Sequence, residues 1–391
     1  MKLPVYLDNS ATTPMDPKVL DAMLPYFLDN FGNASSRSHL YGWTAEEAVD
    51  IAREKVASLI GAHPAEIVFT SGATESVNLA IKGAFENYKN VGNHIITCNT
   101  EHRAVLDTCE WIEKNGGEVT YLPVNSEGLI NLDDLEKAIK KNTILISIMY
   151  ANNETGTIQP IQEISRIAKN KKVLFFSDAT QAVGKIPVNV EDDGIDMLSI
   201  SAHKLYGPKG IGALYVRKKN PKVIIDSQIH GGGHEKNMRS GTLNVPGIVG
   251  FGKACELCEN NLQNEIDSSR KLRDKLEREL LKIEGSKVNG TTGKRLPHIT
   301  NISFEGMNGD NLLLEFCQEI ALSRGSACSS VTTKPSYVLK ALGLSDIHAL
   351  GSFRISLGRF TTISEIEFSC KKMTEIVEKH RNQIKFSAVK N

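Results

Sequence analysis

Residues 201–210 read SAHKLYGPKG and form a turn rich in glycine and proline between two apolar runs, 197–200 and 211–216. Runs of this length, separated by little but a turn, are typical of short buried strands. Lys204 lies in the middle of the turn. Lysines usually lie on solvated faces, so Lys204 gains significance only from the residues around it.

Further short apolar runs precede this turn and alternate with helical segments. The predicted strands cover residues 67–70, 94–98, 118–122, 144–150 and 173–177, and an amphipathic helix covers 103–114. Strands separated by helices imply crossover connections and a mostly parallel sheet. The pattern therefore predicts an α/β fold for this part of the chain.

The pattern changes beyond this region. A long, charged helix is predicted over residues 249–283, and short strands and helices follow it, as is typical of a smaller α+β domain. We expect a large domain over residues 15–258. Residues 1–14 and 259–391 are expected to form a small domain.

Composition narrows the classes of function. The 391 residues carry equal numbers of acidic and basic side chains, so no electrostatic argument favours nucleic acid. No apolar run reaches the ~18 residues that a spanning helix needs, and the N-terminus lacks a signal-peptide pattern. Seven scattered cysteines do not indicate a disulfide framework. We expect a cytoplasmic protein that does not bind a membrane.

Asp178 gives Lys204 a chemical context. It follows the predicted strand 173–177 and precedes Lys204 by 26 residues, a spacing that suits neighbouring strands of one sheet. A lysine that can form a Schiff base and a carboxylate that faces a pyridine nitrogen are the groups that pyridoxal 5'-phosphate (PLP) requires. Gln181 follows one turn later, where it could donate to the ring hydroxyl. An N-cap role for Asp178 remains open.

A second turn suits a phosphate. Residues 71–75 read SGATE and join a predicted strand to a predicted helix, so backbone N–H groups and the Thr74 hydroxyl would be exposed at a helix N-terminus. Ser201 and His203 would add donors beside Lys204. An ordinary capped helix start remains the alternative reading. Together with Lys204 and Asp178, the turn favours PLP as the cofactor.

Motifs along nearly the whole chain carry a family resemblance. They are YLDNSATTP (6–14), SGATES (71–76), TEH (100–102), NNETG (152–156), SDATQ (177–181), RSGTLN (239–244), SRGSAC (323–328) and FRISLGRFTT (353–362). With residues 201–210, the chain resembles the class V aminotransferase family, and within it the cysteine desulfurases of the NifS/IscS type. The resemblance implies the fold type I of PLP-dependent transferases: a large domain with a mostly parallel seven-stranded sheet and a smaller α+β domain.

The resemblance also implies roles for individual residues. The catalytic residues would be Cys328, Lys204 and His102, with His102 stacked on the PLP ring and moving protons. The cofactor contacts would come from Ala73, Thr74, His102, Asp178, Gln181, Ser201, His203 and Lys204. Thr242 would reach the phosphate of the other subunit of a homodimer. Asn153 and Arg354 would hold the substrate, and no metal is implied.

Cys328 differs from the other cysteines. It lies among small residues in GSACSS (325–330), a sequence typical of a mobile polar loop, and the nearby Arg324 could favour its thiolate. The other six are expected to fill the core, because free cysteine is among the most buried residue types. They are Cys98, Cys109, Cys255, Cys258, Cys317 and Cys370.

These features lead to a specific hypothesis. The resemblance implies that the chain converts L-cysteine to L-alanine and leaves a persulfide on Cys328, for transfer to an iron–sulfur scaffold or another sulfur-acceptor protein. A selenocysteine lyase or an aminotransferase of the same fold is the alternative. A cofactor-free protein that retained the fold is a further alternative, against which the presence of Lys204 and Asp178 argues.

Overall fold

The structure is a computed structural model that describes residues 2–325 and 334–389. The strands are β1 Val5–Tyr6, β2 Ile67–Thr70, β3 His94–Cys98, β4 Glu118–Leu122, β5 Thr143–Ser147, β6 Leu174–Asp178, β7 Met197–Ser201, β8 Gly212–Val216, β9 Ser286–Val288, β10 Ile299–Phe304, β11 Ile320–Ala321 and β12 Ser352–Ser356. The helices are α1 Pro17–Met23, α2 Pro25–Leu28, α3 Leu40–Leu59, α4 Ala73–Tyr88, α5 Arg103–Lys114, α6 Leu132–Ala138, α7 Ile161–Lys171, α8 Val245–Leu280, α9 Gly309–Phe316, α10 Tyr337–Ala341, α11 Asp346–Leu350 and α12 Ile363–Val389.

Seven strands form the main sheet within the described residues, in the order β2-β8-β7-β6-β5-β3-β4. Strand β8 is antiparallel to both of its neighbours, and the remaining pairs are parallel. The predicted mostly parallel sheet is therefore confirmed. The strand predicted over 144–150 instead ends at Ser147, because the apolar run continues past the sheet into the wall of a cavity, where Met149 and Ala151 lie.

Both faces of this sheet are covered, as a mostly parallel sheet requires. One core packs α3, α7 and α8 against alternate strand residues such as Phe69 and Ile96. The other packs α4 and α5 against their sequence neighbours Val68 and Ile95. Because both faces are apolar, these strands are continuous hydrophobic runs, which is why the sequence reveals their bounds.

A second unit has its own core. Its antiparallel sheet has the order β12-β10-β9, and beside it β1 pairs in parallel with β11. Helix α8 contributes Cys258 to the first core and Leu272 to this one, so a single helix links the two. Val5 and Leu7 of the N-terminal segment also belong to this core. The division into a large domain of residues 15–258 and a small domain of residues 1–14 and 259–391 stays a prediction.

Two further sequence predictions can be compared with the structure. Cys317, expected on a core face, is exposed, because it follows α9 as its C-cap and its Sγ donates to the carbonyl of the exposed Leu314. This prediction is wrong, whereas Cys98, Cys109, Cys255, Cys258 and Cys370 are buried as predicted.

Within the described part of the chain, none of the helices combines the length and apolar character needed to cross a bilayer.

Candidate active site

A cavity of about 490 Å³ opens where several parallel strands of the main sheet end. Binding sites of α/β sheets lie at this carboxyl edge. The residues that line it include ten of those predicted to form the site: Ala73, Thr74, His102, Asn153, Asp178, Gln181, Ser201, His203, Lys204 and Arg354. The fold therefore brings together side chains that are as far as 281 positions apart in the sequence (354 minus 73).

Asp178 is the last residue of β6, and three donors fix its carboxylate. Its Oδ1 accepts hydrogen bonds from the Thr180 backbone N–H at 3.0 Å, from Thr180 Oγ1 at 2.5 Å and from Ser199 Oγ at 2.8 Å. Turns rather than a helix follow it, so the N-cap reading is wrong. Thr180 and Ser199 were not singled out in the sequence, although a hydroxyl residue two positions after an aspartate is a turn signal.

The start of α4 forms the opposite end of the cavity. Its N-cap, Gly72, has a φ of 152° and makes no side-chain cap, so backbone N–H groups of the first turn need an outside partner. A Cβ on Gly212 would lie 2.7 Å from the Gly72 Cα, so β8 packs tightly beneath the turn. The Ser201 hydroxyl lies close to the same glycine. This helix start suits an anionic group such as a phosphate.

Lys204 projects into the cavity from a short 3-10 turn. Its Nζ donates to the backbone carbonyls of Ser10 at 2.5 Å and Ala11 at 2.6 Å. Gln181 Nε2 donates to the Ser10 carbonyl as well, at 3.0 Å. The lysine amine, the fixed Asp178 carboxylate and the uncapped helix N-terminus are the groups that PLP needs, so the cavity fits this cofactor.

The two histidines of the cavity are held neutral. His102 is the N-cap of α5, and its Nδ1 accepts from the Ala104 backbone N–H at 3.1 Å, which assigns the proton to Nε2. Burial lowers the pKa of His102, with Lys204 reinforcing the effect and Asp178 opposing it. Burial and the nearby lysines lower the pKa of His203 to about 4. Both imidazoles are therefore uncharged at pH 7.

Glu101, which was not predicted from the sequence, lies buried beside the cavity. Its Oε1 accepts from the Met149 backbone N–H at 2.6 Å. Burial and the charge of Asp178 raise the pKa of Glu101 to about 8. The carboxyl is consequently protonated at pH 7 and adds no negative charge beside Asp178.

Arg354 and Asn153 each line the cavity and carry a buried polar atom without a hydrogen bond to the described residues. Arg354 is 1% exposed, and it donates to the Asn153 carbonyl oxygen at 3.1 Å and pairs with Asp8 at 2.8 Å. Within residues 2–325 and 334–389, Arg354 Nε and Asn153 Oδ1 make no hydrogen bond. Buried polar atoms without partners are costly, so a polar ligand would stabilise this end of the cavity. Asp8 was not predicted to take part.

Two predicted residues need separate description. Thr242 is exposed on the loop before α8 and does not line the cavity.

Cys328 lies outside the described residues. On one side of residues 326–333, Gly325 lies near the Glu154 carboxylate, and on the other side Ser336 Oγ donates to it at 2.5 Å. Glu154 is adjacent to Asn153 in the chain, so both described flanks adjoin the cavity wall.

In the described ranges 2–325 and 334–389, no group of three or more His, Cys, Asp or Glu side chains is arranged to hold a metal ion. The C-x-x-C pair, Cys255 and Cys258, is buried within the core along α8, and burial raises the pKa of both thiols. Both cysteines therefore fill the core in this structure.

Comparison with known proteins agrees with this geometry. The family "Aminotransferase class-V" matches residues 5–368. A protein of Pasteurella multocida named cysteine desulfurase IscS is 52% identical over 97% of this chain and 94% of its own length. A solved structure titled NifS-like protein is 40% identical, with a TM-score of 0.89, and covers 96% of this chain and 100% of its own.

Another solved structure is titled SspA in complex with cysteine. It is 40% identical, with a TM-score of 0.79, and covers 92% of this chain and 100% of that one. Identity at this level over nearly full length carries the reaction class of the relatives as well as their fold. The chain therefore belongs to the class-V aminotransferase family, within its group of PLP-dependent cysteine desulfurases.

Proposed function

We propose that the chain converts L-cysteine to L-alanine with PLP held at Lys204, and that Cys328 receives the sulfur as a persulfide. The observation that carries this proposal is the single cavity that joins the Lys204 amine, the Asp178 carboxylate and the unpartnered groups of Arg354 and Asn153. The similar structure titled as a complex with cysteine supports the substrate.

The lining of the cavity supports an assignment of each part of the cofactor to a group of residues. Lys204 would hold PLP through Nζ, and Asp178 would face the ring nitrogen. Residues 72–74 with Ser201 and His203 would bind the phosphate, as the uncapped start of α4 suggests. When bound, PLP supplies an electron sink that stabilises negative charge at the substrate Cα.

Lys204 and His102 are the candidate proton carriers. The Lys204 amine would take the proton from the substrate Cα, and the carbonyls of Ser10 and Ala11 would hold the resulting ammonium, as they hold Nζ in the structure. His102 is neutral before substrate binds, so it would first accept a proton, such as one released by the Lys204 ammonium, and would then pass that proton on as an imidazolium.

Arg354 and Asn153 would orient the substrate. A guanidinium is suited to bind a carboxylate through two parallel hydrogen bonds, and the unpartnered Arg354 Nε is one of the donors available for this. The ion pair with Asp8 fixes the guanidinium plane before substrate arrives. The substrate carboxylate would then lie beside Asn153, next to the wall formed by Glu154.

Sulfur transfer would take place between the substrate and Cys328. The thiolate of Cys328 attacks the substrate sulfur, so an S–S bond forms and the substrate C–S bond breaks. The electron pair of the broken bond remains with the carbon fragment, which takes up a proton and becomes alanine. The positions of Gly325 and Ser336 beside Glu154 support an approach from this side of the cavity.

The function is tested by incubating the PLP-loaded protein with L-cysteine and a thiol reductant. We expect alanine and sulfide in equal amounts, because one C–S bond is broken per turnover. Cysteamine, which lacks the carboxylate that Arg354 would bind, should release little sulfide under the same conditions. Formation of a keto acid without sulfide would instead indicate an aminotransferase.

We also propose that two copies of the chain form a homodimer. A stretch of exposed apolar side chains supports this: Leu24, Phe27, Leu28, Phe31, Leu40, Tyr41 and Trp43, which are 45–70% exposed. Exposed apolar side chains that lie together mark interaction sites, and two of these, Phe31 and Tyr41, stack on each other. Thr242 is exposed, as a contact with the partner's cofactor requires. Sedimentation velocity should give about twice the 42.9 kDa chain mass; an active species at the mass of one chain would contradict the dimer.

The acceptor of the persulfide sulfur is proposed to be an iron–sulfur scaffold or another sulfur-carrier protein in the cytoplasm. The relatives named cysteine desulfurase IscS support the removal of sulfur from cysteine, which must then pass to an acceptor. A persulfide on Cys328 could be passed on by thiol exchange with an acceptor cysteine.

A further inference from the structure

The N-terminal segment 10–16 runs along the turn that carries Lys204. The Thr13 backbone N–H donates to the His203 carbonyl at 3.0 Å, and the Asp16 N–H donates to the Tyr206 carbonyl at 2.9 Å. The segment thus contacts the turn on both sides of Lys204, from a position about 190 residues earlier in the chain. Because this contact is non-local, the turn does not depend on its own sequence alone.

One hydroxyl within this segment binds both sides of the turn. Thr13 is 2% exposed, and its Oγ1 donates to the His203 carbonyl at 2.9 Å and accepts from the Tyr206 backbone N–H at 2.9 Å. The residue before Lys204 and the residue two positions after it are therefore connected through a single oxygen atom. A valine has the same shape but can make neither bond.

The turn needs such support because its backbone is strained. Tyr206 has a φ of 62°, in the left-handed region that bulky residues rarely adopt. Its ring lies between the Lys185 ammonium, 4.1 Å from the ring centre, and the Arg359 guanidinium at 4.3 Å. Strained backbone of this kind persists only where surrounding contacts hold it, and it is often found beside functional groups.

The same segment also contacts the lysine amine. Ser10 and Ala11, three and two positions before Thr13, supply the carbonyls that accept from Lys204 Nζ. The N-terminal segment thus holds both the backbone of the turn and the side chain of Lys204. A shift of the turn against the segment would displace the amine from these carbonyls.

We propose that Thr13 is a positioning residue for Lys204: its hydroxyl fixes the turn so that the amine is aimed at the cofactor. This rests on the proposed role of Lys204 as the residue that holds PLP. Thr13 itself does not line the cavity, so its effect would act through the placement of Lys204.

The test compares Thr13→Val with the conservative variant Thr13→Ser and with a matched control. Thr143 provides the control, because it is 8% exposed and its hydroxyl also has two partners, the His94 ring at 2.7 Å and the Lys140 backbone N–H at 2.7 Å. It lies at the start of β5, at the end of the strand away from the cavity. Thr143→Val therefore loses an equivalent pair of bonds without touching the Lys204 turn.

The readout is the rate at which PLP added to the apoprotein acquires the visible absorbance of the lysine-bound cofactor. We expect Thr13→Val to slow this step by about 10- to 100-fold, the range that small misplacements of reacting groups produce. Thr13→Ser and Thr143→Val should stay within about twofold of the parent protein, and Thr143→Val should lower only the melting temperature. In steady state, Thr13→Val should lower kcat more than it changes KM.

The proposal is overturned if Thr13→Val gains its absorbance as fast as the parent, or if Thr143→Val is slowed equally. Should the valine variant not fold, Thr13→Ala, which also lacks the hydroxyl and adds no methyl group, replaces it in the same comparison. Failure of the proposed function has a different signature, because a Lys204→Gln variant would then gain the absorbance as the parent does.

Discussion

Replacing Cys328 with alanine is expected to abolish the release of sulfide and alanine from L-cysteine while leaving the visible absorbance of the bound cofactor unchanged. The reason is that the substrate sulfur then has no thiolate to receive it, whereas every predicted cofactor contact remains. Sulfide and alanine are measured with L-cysteine and a thiol reductant, and the absorbance is recorded before substrate is added.

Cys317→Ala is the matched control, because Cys317 is an exposed cysteine that directly follows α9. Its loss should leave turnover at the parent level. The buried thiols are poor candidates for sulfur acceptors, since burial raises the pKa of Cys98, Cys109 and Cys255 and the thiolate is the reactive form. Turnover that persists in Cys328→Ala would show that another group takes the sulfur.

Replacing Lys204 with glutamine is expected to remove both the visible absorbance of the lysine-bound cofactor and the desulfurase activity. The turn should keep its shape, because Thr13 holds its backbone on both sides of Lys204. The glutamine amide cannot bond covalently to PLP or take the Cα proton, and loss of a proton carrier alone costs about 10²- to 10⁴-fold in rate. Absorbance spectra and the alanine assay measure the two effects.

Lys209→Ala serves as the control for this variant, because Lys209 is a second lysine on the cavity wall, five positions further along the chain. It should retain the absorbance of the lysine-bound cofactor. If Lys209→Ala lost that absorbance while Lys204→Gln retained it, the cofactor would be bound to Lys209 and not to Lys204.

The main sheet could be predicted closely because most of its strands, such as β2 and β3, are buried along their whole length, whereas the edge strand β4 is only partly buried. Strands β2, β3 and β4 have the predicted bounds, and helix α5 also begins and ends where its amphipathic pattern does. The meeting of Asp178 and Lys204 followed from strand order, since β6 and β7 are adjacent and parallel. Local sequence was therefore sufficient to predict that the Asp178 carboxylate and the Lys204 amine lie close together.

The N-terminal contribution to the site could not be predicted in the same way. Asp8 pairs with Arg354, and Ser10 with Lys204, across 346 and 194 positions of sequence. No local pattern specifies such partners, because they depend on how β1 pairs with β11 and where the chain then runs. The family motif at residues 6–14 was the available signal, and it indicated importance without indicating a role.

The buried carboxyl of Glu101 illustrates a second limit of sequence patterns. The residue precedes His102 in the motif at 100–102, yet a glutamate in a sequence is expected to be exposed and charged. Its protonation at pH 7 follows only from its burial and from the neighbouring Asp178. The protonation of a side chain depends on its surroundings in the folded cavity, whereas the sequence gives only the residue type.

The central claim is that sulfur passes from L-cysteine to Cys328 at a cofactor held by Lys204. It is tested most directly by one turnover with L-cysteine labelled with heavy sulfur, without reductant, followed by mass analysis of the peptides. The account predicts one labelled sulfur atom on the peptide that contains Cys328, in an amount equal to the alanine formed. Label on a different cysteine, or alanine formed without label on the protein, would contradict it.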